Sequence, residues 1–141
     1  MIINDREKKI RKWFAMWLSK EDTGIMELFS PNAVYIESWG PEYHGSSTIK
    51  HWFDEWNSRG QVFKWEIKQF FHCGNQTVVD WYFENRMSNG VKDSFDGLSL
   101  VVWTEDGKIQ SLKEYGCNID RYNPYAAGEK PVFKDDKTLW F

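Results

Sequence analysis

The chain has 141 residues and a formal net charge of −3, from 18 Lys and Arg against 21 Asp and Glu. That length suits one domain with a real core, and without a basic excess a nucleic-acid partner is not expected. No run of 18 or more apolar residues occurs, so no membrane span is expected either.

The opening residues MIINDREKKIRKW lack the apolar stretch and small-residue cleavage site of a secretory signal. Cys73 and Cys117 are too few for a disulfide framework and lack zinc-like spacing. The expectation is a cytoplasmic, reduced protein with both thiols as buried small hydrophobes. Nine Trp, six Tyr and ten Phe are the unusual feature. Such rings either fill a core or, being stiff, wall a ligand cavity.

In chain order, Asn4 or Asp5 caps a helix running to about Ser19, with Ile10, Trp13, Phe14, Trp17 and Leu18 on one stripe. Glu21 or Asp22 opens a second short helix carrying Ile25, Met26, Leu28 and Phe29, which Pro31 stops. A strand over residues 33–37 follows and ends on Glu37. Residues 38–45, with Gly40, Pro41 and Gly45, form a sharp loop. Ser46 or Ser47 then caps a third helix, whose Ile49, Trp52, Phe53 and Trp56 repeat at helical spacing until Gly60 ends it.

From residue 61 the period changes to that of strands. Residues 61–73 put Phe63, Trp65, Ile67 and Phe71 on one face and Lys64, Glu66 and Lys68 on the other, with His72 ending the polar register. A Gly-Asn pair at 74–75 signals a hairpin. Residues 77–87 put Val79, Trp81 and Phe83 opposite Asp80, Tyr82, Glu84 and Arg86. Residues 94–104 carry Phe95, Gly97, Ser99, Val101 and Trp103 on one face and Leu98, Leu100 and Val102 on the other. A strand apolar on both faces is covered on both. The second cover is read as another subunit, giving a homodimer through Leu98, Leu100 and Val102, with a folded-back tail as the rival. Residues 108–121 close the sheet. The expected division is a single domain over 1–121 and an irregular tail over 122–141, whose Leu139, Trp140 and Phe141 are candidates to dock on it.

Three helices and then a four-strand meander give an α+β fold: a cone-shaped, barrel-like curved antiparallel sheet wrapped around the long N-terminal helix. Here the chain resembles the NTF2-like superfamily, in particular its SnoaL-like and ketosteroid-isomerase-like branches. The resemblance is carried by EDTGIMELFSPNAVYIE, YHGSSTIKHWF and FDGLSLVVWTEDGKIQSLKEYG. It spans roughly residues 5–120 and implies the fold more sharply than a function, since this fold hosts many. The resemblance to the isomerase branch implies Glu37 as general base, at the carboxylate position after the first strand. The positions matching that branch's tyrosine and protonated aspartic acid hold Trp13 and Ser99. The paired histidines of the dehydratase branch have no clear match, with only His44 near a plausible cavity mouth. The Asp-Arg-Asp cluster of the epoxide-hydrolase branch would fall on Asp80 and Arg86, which share the outer face.

If Trp13, Trp17, Trp52, Trp56, Trp65, Trp81 and Trp103 meet in one cavity, a carboxylate among them is desolvated and its pKa rises. Glu37 then serves as a base near neutral pH, and Ser99 or an indole N–H bonds the developing enolate oxygen. Glu114 is the second candidate. It shares a strand face with Leu112, and the resemblance also turns that face inward; pairing with Lys113 or Arg121 at the surface is the open alternative. For Glu37 the alternative is a loop carboxylate bonding backbone N–H groups. Trp39 and Tyr43 are read as a lid or mouth. No phosphate loop, metal-ligand cluster or nucleophile elbow occurs, so no cofactor or metal is expected. The functional expectation is a pocket protein for a hydrophobic cyclic molecule, as a cofactor-independent isomerase or cyclase. The alternative is a non-catalytic ligand-binding or dimeric interaction domain.

Overall fold

The computed structural model describes residues 3–134. Helix α1 (Ile3–Ser19) buries Ile10, Trp13, Phe14 and Trp17 of the stripe that its spacing predicts, with Met16 added and Leu18, 40% exposed, left at its edge. Phe14 lies flat on Trp65, ring centroids 3.8 Å apart, which fixes the helix across the sheet. Helix α2 (Ile25–Leu28) begins where the Gly24 and Ile25 N–H groups donate to Asp22 Oδ1, both at 2.8 Å.

The chain becomes extended earlier than expected. Strand β1 is Phe29–Ile36, so Phe29 is its first residue, and Pro31 lies within it. Pro31 is exposed and falls in the irregular stretch of the ladder between Phe29 and Val34, where a missing N–H costs no bond. The following loop is a hairpin: Glu37 N–H donates to the Pro41 carbonyl at 2.9 Å, and strand β2 (Glu42–His44) returns along β1. Helix α3 (Ser46–Arg59) starts at Gly45, not on a serine side chain; Gly45 takes φ 91° and its carbonyl accepts the Ile49 N–H.

Strands β3 (Gly60–Cys73), β4 (Gln76–Met87), β5 (Lys92–Trp103) and β6 (Ile109–Asn118) form the meander. The full order is β2-β1-β6-β5-β4-β3. The sheet is curved but open, with β2 and β3 at its edges, so it does not close as a barrel. Nor is it wholly antiparallel, because β1 runs parallel to β6.

The expected faces of β3 are corrected by two bulges, between Val62 and Lys64 and between Ile67 and Gln69. Each inserts a residue and reverses the alternation beyond it. Val62 and Trp65 are therefore buried, whereas Phe63 and Phe71 are about half exposed. The same shift turns His72 inward, where its Nε2 meets Glu7 Oε2 at 2.8 Å and its Nδ1 meets Thr77 Oγ1 at 2.9 Å. Cys73 and Cys117 are both free and exposed, not buried. Residues 119–134 hold neither helix nor strand, and Leu139, Trp140 and Phe141 lie outside the described residues. No described helix is long and apolar enough to cross a membrane.

Candidate functional site

Between α1, α3 and the concave face of the sheet lies a cavity of about 530 Å³. Its aromatic walls come from several elements: Trp17 on α1, Trp52 and Trp56 on α3, Trp65 on β3, and Trp81 and Phe83 on β4. The period-2 alternation of β1 and β6 supplies the polar groups. Tyr35 and Glu37 stand two residues apart and both line the cavity, as do Glu114 and Gly116. Asp93, Asn85 and Asn118 complete the lining on the sheet side.

Space for the cavity comes from residues without side chains. Gly97 on β5 pairs with Gly116 on β6. The Trp81 ring lies over Gly97, its Cη2 only 2.3 Å from where a Cβ would sit.

The carboxylates are differently held. Tyr35, wholly buried, donates its O–H to Glu114 Oε2. Burial pushes the Glu114 carboxyl up to about 8; the Tyr35 bond opposes the rise and the charge of Glu37 adds to it. Glu114 is half-buried in accessible surface, and its opening is onto the cavity. Tyr35 itself is raised well above the ordinary tyrosine value, first by burial and then by Glu114. Glu37 accepts the Tyr43 O–H at 2.7 Å. Burial raises its pKa as well, but the Tyr43 hydroxyl, the Trp39 indole and the charge of Arg59 all oppose the rise. Tyr43 is held in turn by stacking on Trp52, centroids 4.3 Å apart. The arrangement separates two carboxyl groups into a proton holder, Glu114, and a more readily ionised neighbour, Glu37.

Of the residues singled out in the sequence, Glu37, Glu114, Trp17, Trp39, Trp52, Trp56, Trp65 and Trp81 line the cavity. Trp39 is 77% exposed, at its mouth. Tyr43 acts on the cavity through Glu37. The other four stand elsewhere. Trp13 is fully buried in the core against Phe29 and Tyr35. Trp103 is buried and donates its Nε1–H to Thr77 Oγ1 at 2.9 Å. Ser99 is buried and accepts the Trp81 Nε1–H at 2.9 Å, outside the lining. His44 is exposed and lies 3.4 Å from Glu42. Neither surface partner named for Glu114 pairs with it: Arg121 pairs with Asp96 at 2.5 Å, and Lys113 lies over the Tyr115 ring.

Tyr35 was missed. The signal for it was present, since a residue two before Glu37 on one strand shares its face. Among the described residues no group of three or more His, Cys, Asp or Glu is placed to hold a metal ion.

A sequence profile of the SnoaL-like domain matches residues 10–112. No curated protein matches the chain by sequence. Several solved structures share its fold. An epoxide hydrolase of the LEH-like type from M. tuberculosis superposes with a TM-score of 0.71 at 10% identity, covering 81% of this chain and 84% of its own. An NTF2-like protein from Burkholderia pseudomallei gives 0.68 at 11% identity, covering 80% and 91%. A protein of ketosteroid isomerase-like fold from Catenulispora acidiphila, in complex with trimethylamine, gives 0.62 at 16%, covering 77% and 84%.

Proposed function

The chain belongs to the SnoaL-like domain family, and on that premise we propose that it is a small-molecule enzyme performing cofactor-independent proton transfer, as an isomerase or cyclase. The observation that carries this reading is the pair of cavity carboxyls with separated proton affinities. Glu37 is the base that removes a proton next to a carbonyl. Glu114, holding its proton near neutral pH and tied to Tyr35, is the donor that faces the developing enolate oxygen. Ser99 has no part in this, because it is fully buried and stands outside the cavity lining. Epoxide opening through an Asp-Arg-Asp cluster is disfavoured: among the described residues no Arg lines the cavity, and Arg86 lies over Phe63 outside it.

The substrate in this reading is a hydrophobic cyclic molecule, which suits a wall of indoles and a volume in the usual ligand range. The protein is also read as a cytoplasmic homodimer. Two free, exposed thiols suit a reducing compartment. For the dimer, Leu98 on the convex face is 41% exposed beside Tyr115, and Leu100 pairs with Val78, which pairs with Phe71. These apolar residues share one side of the sheet with Asp80 and Lys113, which pair with Leu98 and Leu100.

The test is proton exchange. A panel of bicyclic ketones, such as 2-tetralone, is screened for quenching of Trp fluorescence, and the binders are followed by NMR in D₂O. Wild type is expected to accelerate exchange of the protons next to the carbonyl, and Glu37→Gln to reduce that by about 10²–10⁴-fold. Binding with no exchange would leave a non-catalytic ligand-binding domain as the better reading, and equal exchange in the variant would remove Glu37 as the base.

A further inference from the structure

We propose that the molecule taken up by this cavity is an organic cation, an alkylated ammonium compound. The proposal deepens the reading above and rests on this cavity being the ligand site.

The lining is one-sided in charge. Glu37, Glu114 and Asp93 face the space, while among the described residues no Lys, Arg or His does. Arg59, whose charge reaches Glu37, stands outside the lining at the end of α3 and is clamped by Glu55 through Nε and Nη2 at 2.7 and 3.2 Å. The other titratable groups facing the carboxyls are Tyr35 from β1, Tyr43 from β2 and Cys117 from β6. None of them supplies a positive charge.

The aromatic walls decide what kind of cation fits. A metal ion or primary ammonium needs a shell of oxygen acceptors, and here the walls are mostly rings. An alkylated ammonium is weakly hydrated and carries its charge on a broad apolar surface. It is attracted by the negative faces of indoles, and half-buried Trp52 and Trp56 line the cavity with Trp39 at its mouth. A neutral ligand that displaced water would leave the carboxyls more poorly solvated, whereas a cation offsets their burial directly.

Two probes of one shape separate charge from bulk: (3-methoxyphenyl)trimethylammonium and the neutral 3-tert-butylanisole. Both carry the same methoxyphenyl group, and neither titrates. Dissociation constants are measured by Trp fluorescence at pH 6 and pH 9. The cation stabilises ionised carboxyls, so its affinity is expected to rise with pH across the Glu114 range, about tenfold or more, with proton release on binding. At pH 9 it should bind at least tenfold more tightly than the neutral probe. Glu37→Gln and Glu114→Gln should each lower that preference while keeping affinity for the neutral probe, which also reports that the variants fold. If a variant does not fold, the wild-type pair at two pH values decides alone. Equal or tighter binding of 3-tert-butylanisole at pH 9, binding of neither probe, or a preference untouched in both variants would overturn the proposal. Exchange of ketone protons with no cation preference overturns only this inference. Cation binding with no exchange of any bound ketone overturns only the catalytic reading.

Discussion

Glu114 is the residue on which most depends. Its carboxyl is buried beside Tyr35 and within reach of the charge of Glu37, and its pKa stands at about 8 against 4.5 for an ordinary glutamate. The folded state therefore holds a proton between those values that the unfolded chain has released, and stability falls as pH rises through that interval. Its contribution is fully present below about pH 4.5, declines from there, and is gone above about pH 8. Glu114→Gln mimics the protonated form and keeps a carbonyl to accept the Tyr35 O–H. The variant is expected to lack this decline and to melt at least about 5 °C above wild type at pH 9, with little difference at pH 4.5. Thermal unfolding of both proteins from pH 4.5 to 9 is the measurement, and parallel curves would show that the carboxyl is solvated. Tyr35 and Glu37 were legible as neighbours from the alternation of one strand. That the Tyr35 hydroxyl meets Glu114 was not, because those two residues are 79 positions apart and only the parallel pairing of β1 with β6 joins them.

At the scale of elements, helices read well and strand faces less so. The α1 stripe follows from a 3.6-residue period that any surface helix must obey. On β3 the period-2 rule held only between bulges. Two extra residues reversed the alternation, so Phe63 and Phe71 point outward and Val62 and Trp65 inward. Nothing in the local composition marks those bulges, since no glycine stands at either. Trp81 on β4 shows the opposite dependence. Its position was readable, but its room was not, because it depends on Gly97 across the ladder. A methyl group there would meet the Trp81 ring at 2.3 Å, so the indole must move. Gly97→Ala is expected to cost roughly 1–3 kcal/mol by overpacking, read from the urea midpoint. Gly116→Ala is the matched control: its Cβ would find its first neighbour, Ser38 Oγ, at 3.3 Å, so its effect should be smaller. Equal effects of the two would mean that Trp81 is not held against Gly97.

At the scale of the whole molecule, the sheet has two unlike faces. The concave one carries the core and cavity. The convex one leaves Leu98, Tyr115 and Phe71 substantially exposed. A second copy of the chain covering this face is the reading given above, and it is tested by light scattering on a sizing column at micromolar concentration. Wild type should elute as a dimer and Leu98→Asp as a monomer with an unchanged circular dichroism spectrum. A wild-type monomer at that concentration would remove the dimer.

What the sequence determined by itself was the kind of fold and the ingredients of a site: a stripe of rings on α1, another on α3, a carboxylate ending the first strand and a meander of strands. These depend on local periods and on short-range turns, and the matching family profile agrees with the fold. The tertiary structure decided which ingredients meet. It withdrew Trp13, Trp103 and Ser99 into the core, left His44 in solvent, and brought Tyr35 into the site. It also left the sheet open, with β1 parallel to β6. Those outcomes depend on contacts between distant residues and on the register of the ladders, and one residue's slip in register exchanges the inside of a strand for its outside.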